Sequence, residues 1–204
     1  MRQPQSSVRS HAAIVVDTSV IINLNATAHA TEIIRAYGVT LCASDVVRDE
    51  LILDRINGRN DGELAQRLVQ EGLLEFLAFD EEAEQLFESL VSGPAEMTLD
   101  DGEAATLAVA VSLNRTAVID ERKAIKISGE RFPSLELMAT ADILRSDEVF
   151  AALGSEGIAD ALFRGLKGAR MAVPERLHDW VVELLGERIV ECRSLPAALR
   201  QVRR

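Results

Sequence analysis

Thr98-Leu99-Asp100-Asp101-Gly102-Glu103-Ala104-Ala105-Thr106-Leu107-Ala108-Val109-Ala110-Val111-Ser112-Leu113 leads, through Asn114 and Arg115, into Thr116-Ala117-Val118-Ile119-Asp120-Glu121-Arg122. The first part predicts an Ala-rich helix over Thr98–Leu113 with acids in its opening turn. The second predicts a short apolar strand, Thr116–Ile119, ended by acids. A helix feeding a buried, β-branched strand belongs to a βαβ unit. Working outward, the same alternation recurs. Ala13–Asp17, Thr40–Ala43, Leu73–Phe79 and the edge segment Leu135–Met138 read as strands. Ser19–Asn25, His29–Tyr37 (closed by Gly38), a Ser44-capped segment to Leu53, Leu64–Glu71, Glu81–Ser92, Glu121–Gly129 and Ala141–Arg145 read as helices. The expected fold is α/β: a three-layer α/β/α sandwich with a small parallel sheet.

From Val149 the pattern becomes helical only, with Gly157–Lys167 and Pro174–Leu185 as a pair and Pro174 as a first-turn residue. The expected organisation is a disordered leader over 1–11, an α/β domain over 12–148, and a helical extension over 149–204 with a basic tail. Arg55–Asp61, rich in Asn, Gly and charge, reads as the most flexible loop.

Composition narrows the function. The 204 residues carry 22 basic and 33 acidic side chains, a formal charge of −11. That balance argues against broad, non-specific attachment to nucleic acid, which depends on neutralising phosphates. It leaves room for a nuclease whose acids are neutralised by bound cations. The positive charge is uneven, because Arg193, Arg200, Arg203 and Arg204 close the chain with no acid among them. Cys42 and Cys192 suggest no disulfide framework, and Cys42 reads as a small buried hydrophobe. His11, His29 and His178 are too scattered for a zinc site or a nucleophilic triad. The polar start and the shortness of the apolar runs predict a cytoplasmic protein without a membrane span.

Four acidic positions stand at strand tips or helix starts: Asp17, Glu50, Glu103, and the doublet Asp120-Glu121. Each has an ordinary structural explanation. Asp17 suits an N-cap, and Glu50 a solvated helix face. Asp100-x-x-Glu103 and Thr98-x-x-Asp101 match a capping box, and Glu121 complements a helix dipole. Together they suggest a cation site. Oxygen ligands without His or Cys select Mg²⁺ or Mn²⁺, and such sites suit phosphoryl chemistry.

The order strand-Asp17-Thr18-Ser19, helical Glu50-Leu51, Gly102-Glu103-Ala104 opening an Ala-rich helix, and Ile119-Asp120-Glu121-Arg122-Lys123-Ala124 resembles the PIN-domain nucleases over Ala13–Arg145. Lys167-Gly168-Ala169-Arg170, followed by Val173-Pro174, is similar to the helical tail of a prokaryotic, toxin-like subgroup. The resemblance implies a PIN-like fold and a Mg²⁺- or Mn²⁺-dependent hydrolase that cleaves single-stranded RNA and leaves 5′-phosphate and 3′-hydroxyl ends. It implies Asp17, Glu50, Glu103 and Asp120 as catalytic metal ligands, Glu121 as a further or alternative ligand, and Ser19 in support. Asp101 is a further supporting residue, and Arg48 and Arg122 are expected at the nucleic acid. Many relatives are toxins held by a small antitoxin, and PIN domains often form homodimers. Two departures stand out: Glu103 replaces the more frequent Asp, and the fourth acid is a doublet. The rival readings are a non-catalytic PIN-like interaction module and a haloacid-dehalogenase-like phosphatase. The latter needs a second acid two residues after Asp17, where this chain has Ser19.

Overall fold

A computed structural model describes residues 13–53 and 60–201. Five parallel strands form one sheet in the order β3-β2-β1-β4-β5: β1 Ala13–Val16, β2 Thr40–Ser44, β3 Leu74–Leu77, β4 Ala117–Val118 and β5 Leu137–Met138. Period-two alternation divides the side chains between two cores. Ile14, Val16, Leu41, Ala43 and Val118 face one, whereas Val15, Cys42, Ala117 and Ile119 face the other.

Ten helices cover the sheet among the described residues: α1 Thr18–Ala26, α2 Ala30–Tyr37, α3 Asp45–Leu53, α4 Asp61–Gln70, α5 Glu81–Val91, α6 Asp101–Ser112, α7 Arg122–Arg131, α8 Thr140–Arg145, α9 Asp147–Gly168 and α10 His178–Leu185. Apolar residues of α5, α6 and α7 fill the second core, and those of α1–α4 and α8–α10 fill the first. The result is the expected α/β/α sandwich with helices appended at its C-terminal side.

Local chemistry sets the boundaries. Ser44 accepts from Val47 N at 3.2 Å, Asp80 from Ala83 N at 2.7 Å, and Ser146 from Val149 N at 3.3 Å, each fixing a helix start. Gly38 ends α2 with φ +78°, a conformation that glycine enters without a Cβ penalty. The helix predicted from Thr98 begins at Asp101, because Asp100 is extended (φ −69°, ψ 157°) and serves as its N-cap. β3 and β5 are shorter than the apolar runs that predicted them. Pro174 stands just outside a 3-10 turn, Glu175–Leu177, that leads into α10.

The C-terminal helices share the domain's core. Ile158, Leu162 and Leu166 of α9 are buried with Ile21 and Leu24 of α1. α9 already starts at Asp147 and is kinked at Gly154 (φ 67°). Cys42 and Cys192 are both free and buried. The expected disordered leader, most of the flexible loop, and Arg203 and Arg204 lie outside the described residues. Arg200 folds back, donating from Nε to Leu195 O at 3.1 Å. No helix among the described residues is long and apolar enough to cross a membrane.

Candidate active site

Connections from β1 run towards β2 and β3, whereas β4 leads the opposite way to β5. The carboxyl ends of β1 and β4 therefore flank a topological switch point, where open α/β sheets form their ligand crevice. Asp17 follows β1 and Asp120 follows β4. A cavity of about 330 Å³ opens there, lined among the described residues by six carboxylates: Asp17, Glu50, Asp100, Glu103, Asp120 and Glu121. Ser19 lines it as well.

Each strand-tip aspartate is held by several donors. Asp17 is 4% exposed and caps α1, its Oδ1 accepting from Val20 N at 2.8 Å and from Ser19 Oγ at 2.9 Å. The cap fixes the rotamer that Asp17 presents to the cavity. Asp120 accepts from Asn23 Nδ2 at 2.7 Å, Thr140 Oγ1 at 2.6 Å and Thr140 N at 2.9 Å.

The glutamates arrive on helices. Glu50 accepts a hydrogen bond from Thr18 Oγ1 and lies against the backbone of α6 at Gly102. A Cβ at Gly102 would overlap the Glu50 carboxylate, within 3.0 Å of its Cδ and Oε1. Gly102 is there because the acid occupies that space. Glu103 reaches back to the Asp100 amide, one half of the predicted capping box.

Burial first, and then Asp120, push the Asp17 carboxyl up to about 7. Burial first, then Asp100 and Glu121, push Glu103 up to about 7 as well. Asp120 is also raised, mainly by burial, against the opposing pull of the Thr140 and Asn23 hydrogen bonds. Burial and crowding both disfavour the charged form of these carboxylates, and a nearby positive charge would offset that cost. The donor set, oxygen only, suits a hard divalent ion. Among the described residues, no three His, Cys, Asp or Glu side chains are gathered to ligate one ion as they lie.

The remaining expected residues fall differently. Asp101 is exposed and does not line the cavity; its neighbour Asp100 does. Arg48 is tied along α3 to Asp45 at 2.7 Å and Asp49 at 3.3 Å. Arg122 lines an adjoining cavity of about 300 Å³ that shares Asp120 and Ala172 with the acidic one. Glu121 is exposed and caps α7, accepting from Lys123 N at 3.3 Å. Sequence reasoning missed Asn23, Thr140, Thr18, Asp100 and Arg170. Asn23 left a signal, a lone amide inside Val20-Ile21-Ile22-Asn23-Leu24, and it is 3% exposed.

Residues 13–149, about two thirds of the chain, match the sequence model of a family described as PIN domain. The chain belongs to the PIN-domain family. Among solved structures, it is similar to VapBC2 from Rickettsia felis, determined bound to a DNA fragment from its promoter. Identity is 16%, covering 63% of this chain and 98% of that one, with a TM-score of 0.43. No curated protein matches the sequence.

Proposed function

We propose that this PIN domain is a metal-dependent endoribonuclease that hydrolyses phosphodiester bonds in single-stranded RNA. The observation that carries the reading is the gathering of six carboxylates at the switch point, with Asp17 and Glu103 both raised to about 7. Asp17, Glu50, Glu103 and Asp120 are the residues that would hold Mg²⁺ or Mn²⁺, with Glu121 at the rim. When bound, the cation supplies Lewis acidity and offsets the charge of the phosphodiester. The protein's part is positioning. Ser19 and the α1 amide of Val20 orient Asp17, Asn23 and Thr140 orient Asp120, and Thr18 orients Glu50. Water attacks phosphorus and the O3′–P bond breaks, leaving a 3′-hydroxyl and a 5′-phosphate. No side-chain nucleophile is needed.

The test is cleavage of an unstructured RNA with Mn²⁺ by the wild type and by Asp17→Asn. Cleavage by the wild type should fall in the variant by more than the roughly 100-fold typical of losing an outer-shell group of a metal site. Equal cleavage by both proteins refutes the site assignment. A wild type that neither cleaves nor gains thermal stability from Mn²⁺ refutes the enzyme reading. A small antitoxin that covers this cavity is the regulatory partner this reading implies. Its co-purification with the chain, together with loss of cleavage, would reveal it.

A further inference from the structure

Among the described residues, the one positive charge lining the acidic cavity comes from a segment that carries none of its acids. Arg170 lies in the stretch between α9 and the 3-10 turn, where Ala169, Met171 and Ala172 also line the cavity. Its side chain is exposed, and among the described residues no hydrogen bond or ion pair occupies the guanidinium. Six carboxylates share the cavity with it, yet none has captured it. The charge remains available to an incoming group.

The segment is firmly seated. Met171 is 1% exposed, and its amide donates to Gly165 O at 3.2 Å. Met171 packs directly on α9, where a Cβ at Gly165 would be in ordinary contact with its Sδ at 3.4 Å. Farther on, Arg176 reaches Asp142 with both terminal nitrogens at 2.5 Å, and Asp142 accepts from Ala139 N at 2.8 Å. The next residue, Thr140, holds Asp120. The wall that presents Arg170 is therefore pinned to the same helix start that fixes a site carboxylate.

Arg170 also sits where arginine is conformationally unfavourable. It follows the C-cap of α9 with φ 57°, the left-handed position that glycine usually fills. Strained residues of this kind concentrate at functional sites. A guanidinium at the mouth of an anionic cavity matches phosphate, because its planar fork takes two oxygens at once.

The geometry points to Arg170 as a substrate-binding residue that takes non-bridging oxygens of a phosphodiester in single-stranded RNA crossing this cavity. The assignment rests on the nuclease reading. It makes the C-terminal extension part of the substrate site.

The test uses Arg170→Gly, which removes the side chain and relaxes the left-handed backbone, so the melting temperature should hold. Binding of a fluorescein-labelled unstructured RNA is measured by anisotropy across a NaCl series in the cleavage-deficient Asp17→Asn background, alongside cleavage kinetics with Asp17 intact. Arg170→Gly should weaken binding about tenfold, as expected for a charged hydrogen bond. It should also make the plot of log affinity against log salt shallower by about 0.7. Arg170→Lys should fall between, keeping the charge and losing the fork. Arg35→Ala, on α2 and paired with Glu71 at 3.0 Å, should change nothing. If the wild type cleaves RNA but Arg170→Gly keeps its affinity within about twofold and its salt slope, the assignment of Arg170 is wrong and the nuclease reading survives. Faster cleavage by Arg170→Gly likewise overturns it, marking the side chain as an obstruction. A wild type that neither binds nor cleaves RNA overturns both.

Discussion

The strand-borne aspartates and the helix-borne glutamates reach one cavity under different restraints. Asp17 and Asp120 follow β1 and β4, and each accepts hydrogen bonds from at least two donors, including a backbone amide at a helix start. Glu50 is held by one hydroxyl, that of Thr18, and by its packing on Gly102; Glu103 is held by the Asp100 amide. Short side chains on a sheet edge have few rotamers to lose. Longer ones on helices have more, and are limited chiefly by what they pack against. The first pair is a fixed platform and the second an adjustable clamp.

The largest effect on the clamp should come from displacing its Glu50 carboxylate. In a helix, Gly→Ala ordinarily stabilises by about 1 kcal/mol. Gly102→Ala should forgo that gain, because the new Cβ must push aside the Glu50 carboxylate, the far end of a flexible side chain. Cleavage should fall about 100-fold with it, a loss at the upper end for disturbing a group that orients a metal ligand. Denaturant unfolding and cleavage rates of Gly102→Ala, Glu50→Ala and the double variant test this. The double variant should recover the forgone stability. If it does not, the clamp is held by something other than that contact.

A smaller effect separates the two pairs by pH. Asp17 and Glu103 are both raised to about 7 in the folded chain. Between about pH 4 and pH 7 the unfolded chain therefore loses protons that the folded chain keeps, and the metal-free protein becomes less stable as pH rises. Under the proposed function Mg²⁺ would compete with those protons, so its stabilising shift in melting temperature should be larger at about pH 8 than at about pH 6. Asp17→Asn should flatten the metal-free pH dependence more than Glu103→Gln, since Asp17 is buried and Glu103 half-exposed. The reverse order would place the stronger constraint on the clamp.

The comparison also explains what was legible in the sequence. β1 and β4 announced themselves because a short β-branched run ending in Asp is a local pattern, and their tips converge once the sheet is parallel. Glu103 carried a local signal in the adjacent Gly102, whose reason proved to be Glu50. The support around the platform was far less visible. Asn23 and Thr140 are 97 and 20 residues from Asp120, and nothing local ties them to it. Arg170 was hidden for a further reason: the extension reads as a separate helical unit, whereas Leu162 and Leu166 bury into the same core as α1 and bring its loop over the cavity.

The smallest effect belongs to Glu121, the second residue of the doublet that ends β4. Asp120 and Glu121 are adjacent and both line the cavity, but only Asp120 is fixed there by Asn23 and Thr140. Glu121 is exposed, and its one capping bond, from Lys123 N at 3.3 Å, can be kept by a glutamine oxygen. Asp120→Asn turns one of the two accepting oxygens into a donor that opposes either Thr140 N or the Asn23 and Thr140 side chains, so cleavage should collapse. Glu121→Gln removes a repulsion that raises Glu103 and otherwise disturbs only an exposed charge. Its cleavage rate should change less than about fivefold, the most that an exposed charge interaction worth under 1 kcal/mol can give. Side-by-side rates at one Mn²⁺ concentration decide the matter. If Glu121→Gln is the more damaged enzyme, the platform's second ligand is Glu121, and Asp120 serves to anchor α8.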